Sequence, residues 1–245
     1  MNLDPYDLRA RVVPALIVAL PVSLAVVAWF PDRFIGWGIL VGLLTGSGAY
    51  VLLAQLARDN GKRKEPQLFD SWNGKPTTRQ LRHRDTTFDW VTLARYHTFL
   101  SGKVGVSAPT KQEEEQDPKS ADDVFESYVH YLREATREKS KYPLVFSENV
   151  NYGFRRNLWG MKPAGILLAL LGVSAGLSRL FLSLLTSEPV PMSAAVATVL
   201  CILLFVWWCL RVTPTWVRLA AEAYAERLLG TCTSLAATED KKKEK

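Results

Sequence analysis

Four stretches of this chain, residues 12–30, 34–56, 163–186 and 193–212, carry almost no charge. A hydrocarbon core of about 30 Å takes about 20 apolar helical residues, so each stretch is long enough to cross a bilayer. Residues 57–162, between the second and third, hold nineteen Lys/Arg and fifteen Asp/Glu. Such segregation excludes a single soluble globule, a disordered chain and a secreted disulfide scaffold. It predicts an all-α integral membrane protein with a soluble insert.

The first stretch contains Pro14 and Pro21 as kink points. Arg9 and Arg11 before an apolar run also fit a signal peptide. The run ends in Trp29-Phe30-Pro31-Asp32, however, without the small residues of a cleavage site, which predicts a retained helix. Only Pro31-Asp32-Arg33 separates it from the second stretch, so the two form a hairpin. Pro163 opens the third, and residues 187–192 turn the chain into the fourth. The layout is therefore four transmembrane helices in two hairpins, within residues 1–56 and 163–212. A mostly helical cytoplasmic insert occupies 57–162, and a helix with a charged tail occupies 213–245. Thirteen Lys/Arg flank one side of this layout and Arg33 alone the other. That asymmetry places both termini and the insert in the cytoplasm, with a bacterial inner membrane as the expected location.

Gly38, Gly42 and Gly46 repeat every four residues, as do Gly172 and Gly176. Such faces let helix backbones approach closely in lipid, within one chain or between copies, and a homo-oligomer is expected. Arg179 is the one ionisable residue well inside a predicted span. A charge there costs about 2.5–3.5 kcal/mol on insertion scales. It either lines a pore or bundle interior or snorkels outward toward Glu188. Cys201, Cys209 and Cys232 have neither a pairing framework nor metal-ligand spacing and read as packing residues.

In the insert, Thr87 is the predicted cap of a helix with Phe88, Val91, Tyr96, Phe99 and Leu100 on its apolar face and Gly102 as its stop. Residues 103–119 are polar, carry two prolines and read as an exposed, mobile loop. Ser120-Ala121-Asp122-Asp123 then opens a helix with Val124, Phe125, Tyr128, Val129 and Leu132 at amphipathic spacing. Ser147 caps a last helix that runs into the third span, setting Arg155, Arg156 and Trp159 at headgroup depth. Residues 215–229 form a helix that Gly230 ends, followed by a solvated tail.

Catalytic motifs are missing: there is no GxSxG, P-loop, GxGxxG or HExxH. His83-Arg84-Asp85 spells part of a kinase catalytic loop, but Trp90 stands where the metal-binding Asn belongs. His83, His97 and His130 have no ligand-like neighbours, so no metal, cofactor or enzymatic activity is expected. The basic run at 75–84 is the candidate ligand or partner site. Arg79, Arg82 and His83 would share a helical face, with Arg84 beside them, and the N–H groups at Thr77-Thr78 suit an anion. Attraction to lipid headgroups is the competing explanation. No aromatics interleave with the run, so nucleic acid is not an expected partner.

In layout alone, the chain resembles the small multi-pass effectors of bacterial anti-phage systems, which couple a cytosolic sensing region to membrane disruption. The function this implies is an oligomeric pore or effector whose insert senses a ligand or partner and alters permeability. The alternative is a non-conducting scaffold that recruits a soluble partner.

Overall fold

The computed structural model describes residues 8–30 and 49–243, and among them every regular element is a helix. A π-helical turn, Leu8–Val12, leads into α1 (Val13–Trp29). It is followed by α2 (Ala49–Ser71), α3 (Pro76–Arg79), α4 (Trp90–Val104) and α5 (Lys111–Gln116). Then come α6 (Pro118–Ala135), α7 (Pro143–Leu185), α8 (Met192–Leu210) and α9 (Pro214–Lys243). Three helical stretches among the described residues are long and apolar enough to cross a membrane: Leu8–Trp29, Pro143–Leu185 and Met192–Leu210. The second predicted span, with Gly38, Gly42 and Gly46, lies largely outside the described residues.

The chain divides into two compact units, residues 1–65 with 153–217 and residues 66–152 with 218–245. Hydropathy alone put the boundaries at 57, 162 and 213. Packing shifts them, because α2, α7 and α9 each contribute residues to both units.

The first unit is held by small-residue contacts between long helices. Ala28, Ala194 and Ala197 pack together with Leu24 and Leu180. Gly172 backs onto Pro21 and Cys201, Gly176 onto Thr198, and Gly165 onto the Trp208 ring. The glycine face of the third predicted span is thus used inside the chain. Leu167, Leu171, Phe181, Val199 and Leu203 point outward, an arrangement that lipid tolerates because acyl chains are as apolar as leucine.

The second unit has its own core, with Leu81, Leu100, Phe125, Tyr128, Leu132 and Leu228 all fully buried. The predicted stripe of α6 forms much of it, but several predicted boundaries are corrected. Asp89, not Thr87, caps α4 by accepting the Thr92 N–H at 2.9 Å. That helix runs through Gly102 and stops at Gly105, whose φ of 74° is the left-handed conformation a glycine cap supplies. Residues 103–119 are not a mobile loop. Thr110 and Glu113 form a capping box for α5, and Asp117 caps α6 ahead of the predicted start at Ser120.

Ser147 and Pro163 both fall inside α7 and neither starts a helix. Pro163 forfeits one backbone bond, and the helix continues through it. Gly230 does not end α9, which continues through the predicted tail to Lys243. Buried Leu228, Leu229 and Cys232 anchor the helix on both sides of this glycine.

Candidate functional site

The basic run in the second unit does not form the predicted helical face, since α3 is a single turn ending at Arg79. Its cations meet carboxylates of the protein instead. Arg82 is 5% exposed and donates Nε and Nη2 to Asp122 at 2.8 and 2.6 Å, and Nη1 to the Asn73 carbonyl. Arg79 lies 3.3 Å from Asp85 and 2.8 Å from Glu222. Arg84 approaches Glu114 at 3.4 Å, and the second oxygen of Glu114 accepts the His83 backbone N–H at 2.7 Å. An external anion at Arg79, Arg82, His83 and Arg84 would compete with four internal carboxylates. Among the described residues, no group of three or more His, Cys, Asp or Glu is placed to hold a metal ion.

A second polar network lies in the first unit, where α2 crosses α7. Gly61 and Gly160 make this crossing possible: a Cβ on Gly160 would sit 2.6 Å from the Gly61 nitrogen. The close approach buries Asn157 against Gly61. Asn157 donates Nδ2–H to the Ala10 carbonyl at 2.7 Å, within the π-helical turn. Its Oδ1 accepts from Nε and Nη2 of Arg156 at 3.2 and 3.1 Å, and Arg156 Nη1 donates to Glu65 at 2.9 Å. A buried charge needs such compensation, because an isolated one would cost several kcal/mol. Arg156 is therefore a buried tie between helices rather than an exposed basic side chain.

The neighbouring cations divide between carbonyls and aromatic rings. Arg155 donates to the Trp216 carbonyl at 2.9 Å, and its guanidinium carbon lies 5.0 Å from the centre of that indole. Arg211 approaches the same ring at 5.9 Å. Lys64 lies over Trp159 at 5.7 Å. Lys162 donates to the carbonyls of Cys209 and Val212 at 3.2 and 2.9 Å, closing the C-terminal end of α8. Glu65, Asn157, Gly61 and Gly160 were not among the sequence candidates, and a lone Asn or Glu next to a basic run gives little signal on its own.

Toward the other end of α7, Trp29 Nε1 donates to the Ala175 carbonyl at 3.0 Å, and Arg179 reaches Glu188 at 3.6 Å. Taken together, these groups fasten helix ends and hold charge; the chemistry they offer is binding and orientation. No protein family, curated protein or solved structure matches the chain.

Proposed function

We propose that the protein is a non-conducting scaffold of the bacterial inner membrane. Its first unit anchors the chain as four transmembrane helices in two hairpins, and its second unit recruits a soluble partner in the cytoplasm. One observation carries the choice over a pore. Among the described residues, the features that a conduction path between copies would use are engaged within the chain: Gly172 and Gly176 on α1 and α8, and Arg179 with Glu188.

Contacts at both ends of the first unit support the fourth span. Trp29, at the end of α1, bonds Ala175, whereas Gly61 in α2 touches Asn157 and Gly160. Asn157 and Ala175 are eighteen residues apart on one helix, or about 27 Å at 1.5 Å per residue. The chain regains that distance between residues 29 and 61. This supports a return crossing that includes the predicted 34–56 segment.

Ion flux in vesicles reconstituted with the full chain tests the reading. A scaffold gives no flux above protein-free vesicles, for the parent and for Arg179→Glu alike. Flux in the parent whose ion preference changes in Arg179→Glu would restore the pore reading, since a charge lining a narrow path sets its selectivity.

A further inference from the structure

A cavity of about 320 Å³ opens in the second unit between residues 107–109, α5 and the first turns of α6. Its walls are held in place. Tyr128 donates its hydroxyl to the Val106 carbonyl at 2.6 Å, and the Ala108 N–H reaches Ser101 Oγ at 3.0 Å. His83 Nε2 lies 2.8 Å from the Pro109 carbonyl, and α5 is fixed by Glu114 and by its capping box. Ligand pockets are largely pre-formed in this way, from about 300 Å³ upward. Pro109, Ala121 and Val124 give the lining its apolar part, and Glu113 and Asp117 give it carboxylates.

Residues 113–126 hold seven Asp/Glu and one lysine. The protein neutralises three of these carboxylates itself: Glu114 faces Arg84 at 3.4 Å, Asp122 faces Arg82 at 2.6 Å, and Glu126 meets Lys75. Glu115 and Asp123 are exposed to water. Glu113 and Asp117 line the cavity and form no ion pair among the described residues. They stand one helical turn apart, with the Asp117 N–H donating to the Glu113 carbonyl at 2.9 Å. Each uses one oxygen in capping: Glu113 Oε2 accepts from Thr110, and Asp117 Oδ1 accepts from the Ser120 N–H at 3.0 Å. Glu113 Oε1 and Asp117 Oδ2 have no donor among the described residues. A long basic side chain matches both parts of the lining, its stem on the apolar wall and its charged head beside the carboxylates. We propose that the cavity receives a lysine or arginine side chain of the soluble partner. The site rests on the reading that the second unit recruits such a partner, and it names what the unit recognises.

Nuclear magnetic resonance of the full chain in detergent tests it, with N-acetyl-arginine amide and its neutral isostere N-acetyl-citrulline amide as probes. The arginine probe should shift the backbone amides of residues 113–121 saturably. The citrulline probe should bind about tenfold more weakly, the worth of one charge-assisted hydrogen bond. The double variant Glu113→Gln with Asp117→Asn should lose that preference. Glutamine and asparagine keep the capping bonds, so α5 and α6 stay folded without the charge. Glu115→Gln should retain the preference. Should the double variant lose the folded amide pattern of α6, Asp117→Asn alone decides by the same comparison. Equal affinity for the two probes, a preference that survives the loss of both carboxylates, or an equal loss in Glu115→Gln would overturn the site. The two readings fail separately: ion flux removes the scaffold without touching the probe preference, and an absent preference leaves the flux result as it was.

Discussion

His97 shows how placement sets the chemistry of a single residue. Its Nε2 lies 2.8 Å from the Leu81 carbonyl, its ring stacks on Phe125 at 5.3 Å, and the His83 ring meets it edge-on at 5.1 Å. Burial is the largest influence and lowers its pKa below the ordinary 6.5; the bond to Leu81 works in the opposite direction, His83 adds to the lowering and Glu114 opposes it. Below about pH 6.5, therefore, the unfolded chain takes up a proton that the folded unit resists. Stability from this group is complete above that pH and is lost as pH falls. Thermal melting followed by circular dichroism should show the midpoint falling between about pH 7 and pH 5.5, and His97→Gln should flatten that slope. An unchanged slope in the variant would assign it to other groups. The basic run nearby shows where residue-level reading runs out. Arg79, Arg82 and Arg84 are legible as charges. The partners of the first two, Glu222 and Asp122, lie 143 and 40 positions away, a distance no local spacing encodes.

Among elements, α6 was legible because its buried residues recur every three or four positions, at Ala121, Phe125, Tyr128, Val129 and Leu132. The capping box at Thr110 and Glu113 sits in a segment whose charges and two prolines carry the signature of a loop. Only tertiary structure shows that Glu114, 3% exposed, docks that segment on His83. Glycines divide along the same line. A glycine ends a helix where a left-handed conformation is needed, as at Gly105; Gly102 and Gly230 lie inside helices, where an added Cβ meets nothing within 4 Å. Gly230→Ala should therefore stabilise α9 by about 0.5–1 kcal/mol. Gly160→Ala should do the reverse, because its Cβ would meet backbone atoms of Asn60 and Gly61 at 2.6–2.7 Å, and overpacking typically costs about 1–3 kcal/mol. Unfolding temperatures of the two variants in one detergent check the contrast. Equal shifts would show that the α2–α7 crossing is looser than its geometry.

For the molecule as a whole, the number of membrane crossings decides which side each part occupies. Residues from both 66–152 and 218–245 build one core, with Phe125 and Leu132 beside Leu228 and Leu229. Segments that share one core lie on one side of a bilayer, so the chain between them crosses it twice or not at all, and α7 and α8 are both long and apolar enough to cross. The apolar stretches were legible because a bilayer demands uninterrupted hydropathy, whereas the unit boundaries depend on contacts between distant segments. Ala10 is bonded to Asn157, in the part of α7 where Arg155 meets Trp216, and the turn bearing Glu188 follows the C-terminal end of that helix. Basic residues, including Arg156, Lys162 and Arg211, flank the apolar stretches near Asn157, and a cytoplasmic side for them is the expectation that labelling tests. In a variant lacking Cys201, Cys209 and Cys232, Pro189→Cys should react with an impermeant maleimide added to intact cells. Gln112→Cys should react only after permeabilisation. Asn2→Cys separates three crossings from four: it stays protected if the chain returns between residues 29 and 61. Labelling at position 2 from outside would remove the fourth span, and labelling at position 112 from outside would invert the whole arrangement.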